Sequence, residues 1–167
     1  MKRIPAIVAA LAGAGAPVAA QSYDAKRVVV SVKQADLEAI VTSLGHKIKE
    51  FGRTGETYIA AETPDGTVYL MFGTACDVGN VPGCQGVMMQ LRYDLPQGTT
   101  LETLSRTNDA QAAISVTADF SAKSLVFTRY HVLDGGVTLG NIRENVNVLL
   151  AVTADAYPMA AGDEPAR

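Results

Sequence analysis

Apolar residues recur along this chain with two different periods, and the switches between the periods mark out its elements. Leu37, Ile40, Val41 and Leu44 fall at i, i+3, i+4 and i+7, with Gly45 directly behind them. That spacing predicts a first helix from Lys33 to Leu44. Ser31, three residues ahead of Gln34, gives a capping-box pattern at its start. The preceding Val28 to Val30 is a short apolar stretch that reads as a strand or as a staple for the helix. Past Gly45 the period drops to two, with His46, Ile48 and Glu50 alternating with Lys47, Lys49 and Phe51. Thr57 to Glu62 and Thr67 to Phe72 read as strands joined by Pro64-Asp65-Gly66, a turn in which proline presets φ and glycine accepts a positive one. Beyond the two cysteines, Gly86 to Asp94 forms another strand, with Val87, Met89, Leu91 and Tyr93 on one face.

Leu95-Pro96-Gln97-Gly98 interrupts this pattern, and Thr99 with Glu102 supplies a second capping box. Leu101 and Leu104 then begin a helix over 100–112. Ser115 to Phe120 and Leu125 to Val132 form a hairpin turning at Ser121-Ala122, ended by Asp134-Gly135-Gly136. Thr138 caps a last helix, in which Leu139, Ile142, Val146, Leu149 and Tyr157 repeat at helical spacing while Arg143 and Glu144 face out. Pro158 closes it, and the small, polar, Pro/Gly-containing residues 158–167 read as a disordered tail. The order is α-β-β-β-α-β-β-α. Strands arrive in hairpin-linked groups and not singly between helices, which predicts an α+β fold: an antiparallel sheet of about five strands packed by three helices. No repeat or linker divides residues 21–157, which read as one domain.

At 167 residues and 48% hydrophobic, the chain can bury one core. Its N-terminus changes the picture. Met1-Lys2-Arg3 is followed by a short apolar run from Ile4 to Ala16 and then by small residues, the pattern of a secretory signal peptide over 1–20 with cleavage between Ala20 and Gln21. The alternative is a membrane helix, for which the run is short and rich in Ala and Gly. No later stretch is apolar enough to span, so no membrane association is expected after cleavage. Removal of Lys2 and Arg3 takes the net charge from −3 to −5. An acidic domain without a Lys/Arg cluster argues against a nucleic-acid partner. Export places the domain in the periplasm or outside the cell, where two cysteines, Cys76 and Cys84, are most simply one disulfide, with free thiols as the alternative. Their spacing is neither a C-x-x-C redox motif nor half a zinc site.

Candidate chemistry is sparse. His46 and His131 sit in strand patterns without a carboxylate or second histidine at ligand spacing, and read as strand-surface residues. Hydrolase, metalloprotease, P-loop and dinucleotide motifs are absent from the sequence. Asp65, Asp77, Glu102 and Asp134 each explain themselves as turn or cap residues. No catalytic, metal-binding or cofactor-binding residue is nominated. The suggestive feature is that both faces of the central hairpin are apolar. With helices on one side, the other would show Tyr69, Met71 and Met88 beside Arg92, a Met- and Tyr-rich surface suited to an adaptable partner. A dimer contact or coverage by a second layer would use the same residues.

Across Val30 to Tyr157 the chain resembles the YbjN family of candidate bacterial sensory transduction regulators. The resemblance is carried by Leu44-Gly45-His46 at the end of the first helix, Phe72-Gly-Thr-Ala-Cys76, and Gly83-Cys84 opening a Met-Gln-Leu-Arg-Tyr strand. Leu101-Glu-Thr-Leu104 leading to Asn108, and Gly136-Val137-Thr138 opening the last helix, complete it. The resemblance implies a fold like that of type III secretion chaperones, often homodimeric, and a non-enzymatic regulatory or chaperone-like protein that binds another protein. It carries no catalytic residues. The family's Asn-x-aromatic-Asn motif is reduced here, with Ser105-Arg-Thr-Asn108 keeping only the last Asn. The competing expectation is a small-ligand binder or minor hydrolase with a pocket between sheet and helices.

Overall fold

The computed structural model describes residues 22–163. Ala20 and Gln21, the expected cleavage junction, and the end of the expected tail (164–167) lie outside the described residues. Twelve short and long elements follow one another: β1 (Val28–Val29), α1 (Gln34–Ser43), β2 (Lys47–Phe51), β3 (Tyr58–Glu62), β4 (Val68–Cys76), a 3₁₀ turn (Val78–Asn80), β5 (Cys84–Asp94), α2 (Leu101–Ala110), β6 (Ser115–Asp119), β7 (Ser124–Val132), β8 (Val137–Thr138) and α3 (Leu139–Ala161). Strands β2 to β7 form one antiparallel sheet in the order β2-β3-β4-β5-β7-β6, and β1 pairs with β8 in a separate ribbon. The α+β class and three helices match the sequence reading. The main sheet has six strands and not about five, because the alternating stretch after Gly45 pairs with β3 as an edge strand.

All three helices lie on one side of the sheet. Leu37, Ile40 and Val41 of α1 and Ile142, Val146 and Leu149 of α3 are fully buried against Ile59, Tyr69, Met71, Val87, Met89 and Phe127. Each such side chain contributes ~1.5–3 kcal/mol of burial, so this layer decides which sheet face points inward.

The caps sit one or two positions from where the sequence patterns put them. At α1, Lys33 is the N-cap and its N–H donates to Asp36 Oδ2 at 2.8 Å. Asp36 is buried and ion-paired with Arg27. Ser31 instead donates to the Pro82 carbonyl, and Gln34 accepts from the Tyr58 N–H. At α2 the reciprocal pair is Thr100 and Thr103, at 3.0 and 3.1 Å, while Thr99 is buried. Thr138 caps α3 as expected, accepting from the Asn141 N–H. That helix does not stop at Pro158. It runs on to Ala161, with Ala160 and Ala161 buried and the Ala160 carbonyl accepting from Thr103. Packing against the start of α2 therefore overrides the bond that Pro158 cannot donate. Gly162, at φ 79°, terminates the helix.

Candidate functional site

The sheet face away from the helices carries the site, and β-pleat alternation decides what it contains. Along β4, Tyr69 and Met71 are 0% exposed and point into the helix layer, whereas Val68, Leu70 and Phe72 point the other way. Of the four residues expected together on an open face, Met88 and Arg92 are there and Tyr69 and Met71 are not. The correction comes from register. Phe72 pairs with Met88, and Tyr69 with Leu91, so Met88 shares its face with Phe72 and Leu70. The alternation within each strand is readable. The match between strands is not, because it depends on how many residues the connection consumes, and Asp77 and Asn80 within it adopt φ 55° and 62°.

Tyr69 has a specific reason to be inside. Its hydroxyl hydrogen-bonds His46 Nδ1 at 2.9 Å, with the rings edge to face at 5.6 Å. Burial raises the Tyr69 pKa strongly. His46, placed just before β2, has its pKa lowered, first by burial and then by Arg143 against an opposing effect of Asp65. The pair therefore fits a tyrosine hydroxyl donating to a neutral imidazole, and His46 is half-buried instead of being a plain surface residue. His131 is also half-buried, opposite Val87 on the covered face, with its pKa lowered by burial and by Arg129.

On the open face, Tyr58, Phe72, Met88 and Tyr130 are direct register partners across four adjacent strands. The Tyr58 and Phe72 rings stack tilted at 5.0 Å. Tyr130 is 52% exposed and lies across Gly86 to meet Thr74 Oγ1 at 3.1 Å. A side chain at position 86 would strike both groups, so glycine is what lets the ring lie flat on the sheet. Beside this row run Ala60, Leu70, Gln90 and Thr128. Gln90 donates to Thr128 at 3.1 Å and accepts from Arg92 Nε and Nη2 at 3.1 and 2.8 Å, which pins the guanidinium along its own strand. Val68 and Val132, 47% and 57% exposed, extend the apolar surface.

Where the β2–β3 hairpin adjoins β4, the face holds a trough of about 590 Å³. Leu70 and Phe72 form its floor, Glu50 and Glu56 one wall, Arg92 one end and Cys76 the other. Burial and Glu50 raise the Tyr58 pKa while Arg92 opposes them, so both charges reach that hydroxyl. Cys76 and Cys84 are joined as a disulfide between β4 and β5. Gly73 is required beside it, since any side chain there would collide with Cys84 Sγ.

Both edges of the sheet are partly blunted. On β6, Asn108 Oδ1 accepts from the Val116 N–H at 2.8 Å and Asn108 Nδ2 donates to the Val116 carbonyl at 2.9 Å, so a side chain takes the place of a neighbouring strand. On β2 a bulge between Ile48 and Glu50, with Lys47 and Lys49 beside it, blunts the other edge. The retained Asn of the reduced motif is thus structural.

Two other hollows carry less. The larger, about 770 Å³ between α2 and α3, is bordered by Arg106, Asp109 and Asp155 and has no aromatic anchor. A cleft of about 200 Å³ between the β3–β4 turn and α3 brings Asp65 and Tyr93 together. It is smaller than the ~300 Å³ of typical ligand sites, and the Asp65 carboxylate is engaged by Thr63 and Thr67 of its own turn. Among the described residues, no three His, Cys, Asp or Glu side chains are placed to hold a metal ion, and no helix is long and apolar enough to cross a membrane.

The geometry defines an α+β domain with an aromatic sheet face that no described element covers. Its fold is YbjN-like: it superimposes on YbjN, a candidate transcription regulator from E. coli, with a TM-score of 0.54 at 14% identity over 82% of this chain and 93% of that one. It is also similar to a chain of the HopA1–SchA chaperone–effector complex, with a TM-score of 0.51 at 10% identity over 74% of this chain and 96% of that one. At these identities the likeness is one of fold. No protein-family model matches the chain, and a comparison with curated protein sequences finds no match.

Proposed function

We propose that this protein is an exported, non-enzymatic binding module, chaperone-like or regulatory, that takes a protein partner on its open sheet face. The observation that carries the reading is the row Tyr58, Phe72, Met88 and Tyr130, held rigid across four strands and left uncovered while both sheet edges are blunted. A contiguous aromatic patch of this kind, with a methionine at its centre, marks an interaction surface more often than bare solvent contact. A fold shared with a chain of a chaperone–effector complex supports the same reading. Export is supported by the N-terminal pattern and by a disulfide, a bond that persists in oxidising compartments.

The test is affinity capture of partners from the native periplasm with wild type and Met88→Asp. Met88 is half-buried on the open face, so the charge falls on that surface and leaves the helix-side core alone. Partner recovery should fall at least about fivefold, as expected for a charge placed in an interface centre. Unchanged recovery with an unchanged melting temperature would overturn the face.

A further inference from the structure

We infer that the trough takes an extended segment of the partner in which apolar side chains alternate with basic ones. This rests on the open-face reading and gives that face a ligand chemistry.

Shape argues for an extended chain. Leu70 and Phe72 are successive outward positions of one strand, so they lie about 7 Å apart, the spacing at which an extended peptide presents every second side chain. The trough follows β4 from beside Leu70 to Cys76, six residues or about 20 Å. A compact ligand would leave most of that length empty. With Asn108 occupying one sheet edge and the bulge blunting the other, a segment docks through side chains against the face and not by adding a strand.

Charge selects the segment. Glu50 and Glu56 stand on the same wall, and neither carboxylate forms an ion pair among the described residues. Among the described residues, Glu56 accepts only from the Arg53 N–H. Arg92, the one cation lining the trough among the described residues, is turned along its strand onto Gln90. An acidic segment would meet two carboxylates. A second copy presenting the same face would set two carboxylates from each side against one guanidinium each. A segment carrying lysine or arginine beside its apolar residues satisfies both carboxylates, and the net charge of −3 of the whole chain favours its approach.

The probe is a fluorescein-labelled nine-residue peptide alternating leucine and lysine, titrated with the exported protein and followed by anisotropy; a leucine–glutamate peptide is the comparison. The leucine–lysine peptide should bind saturably, and at least tenfold more tightly than the acidic one. Glu50→Gln with Glu56→Gln should weaken it about tenfold. Glu102→Gln with Glu144→Gln, equally acidic and exposed on the helices, should change it less than twofold. Equal losses from the two double variants, a preference for the acidic peptide, or no saturable binding would overturn the inference. Partner capture separates this from the reading beneath it. If Met88→Asp loses the native partner while the Glu50/Glu56 variant keeps it, the open face stands and the trough assignment falls. If both variants keep the partner, the face itself falls. Unchanged melting temperatures establish that each variant is folded.

Discussion

His46 shows how a residue that looks like strand surface in the sequence becomes half-buried, tied to the buried Tyr69. Burial lowers its pKa and that of His131 from the ordinary 6.5, so the unfolded chain binds more protons than the folded one just below that value. Stability from this source is complete above pH 6.5 and is lost as the pH falls through the lowered folded values. The carboxyls of Glu62, Asp65 and Asp119, held low by Lys49, Thr63 and Ser121 respectively, give way only at more acidic pH. The melting temperature of wild type should therefore drop as the pH falls below about 6.5, and His46→Gln with His131→Gln should flatten that slope. An identical slope in the variant would remove the histidines from the account. Asn108 is the second residue of consequence. Its three hydrogen bonds tie Leu104 and both backbone groups of Val116. Asn108→Ala should cost about 2–3 kcal/mol by chemical denaturation. It also uncovers the β6 edge, so sedimentation velocity should show more concentration-dependent association than wild type shows. A variant that sediments as wild type does would show that Asn108 does not guard the edge.

At the level of elements, the β4–β5 hairpin is the unit that matters, and the disulfide closes it. The cysteines are eight residues apart, and closing so short a loop stabilises by about 2.5 kcal/mol in the chain-entropy account. Cys76→Ser with Cys84→Ser should lose roughly that amount, and the exported protein should weigh two hydrogens less without reductant than with it. An unchanged mass would mean free thiols. Much of this level was legible in the sequence. The i, i+3, i+4 stripe of α1, the Pro64-Asp65-Gly66 turn and the Thr138 cap all correspond to observed features, because each depends on residues close in the chain. What was not legible depends on distant partners. The caps of α1 and α2 moved because Asp36 is held by Arg27 and because Thr103 bridges to Ala160. Helix α3 passes Pro158 because the last alanines are buried.

For the whole molecule, the same limit decided the site. Alternation gave the two faces of β4 and of β5 separately, but Tyr69 and Met71 were matched with the wrong face of β5, since pairing register is fixed by the loop and by which side the helices cover. Tyr58 and Tyr130 were missed because nothing local links them to Met88; they meet it only through three strand pairings. The central claim is that this assembled row receives a protein. Site-specific photo-crosslinking in the native periplasm tests it most directly, with a photoreactive residue at position 88 or 130 on the open face, or at the exposed helix position 144. The account predicts a discrete protein adduct from 88 and 130 and none from 144. Adducts of equal yield from all three positions, or from 144 alone, would contradict it.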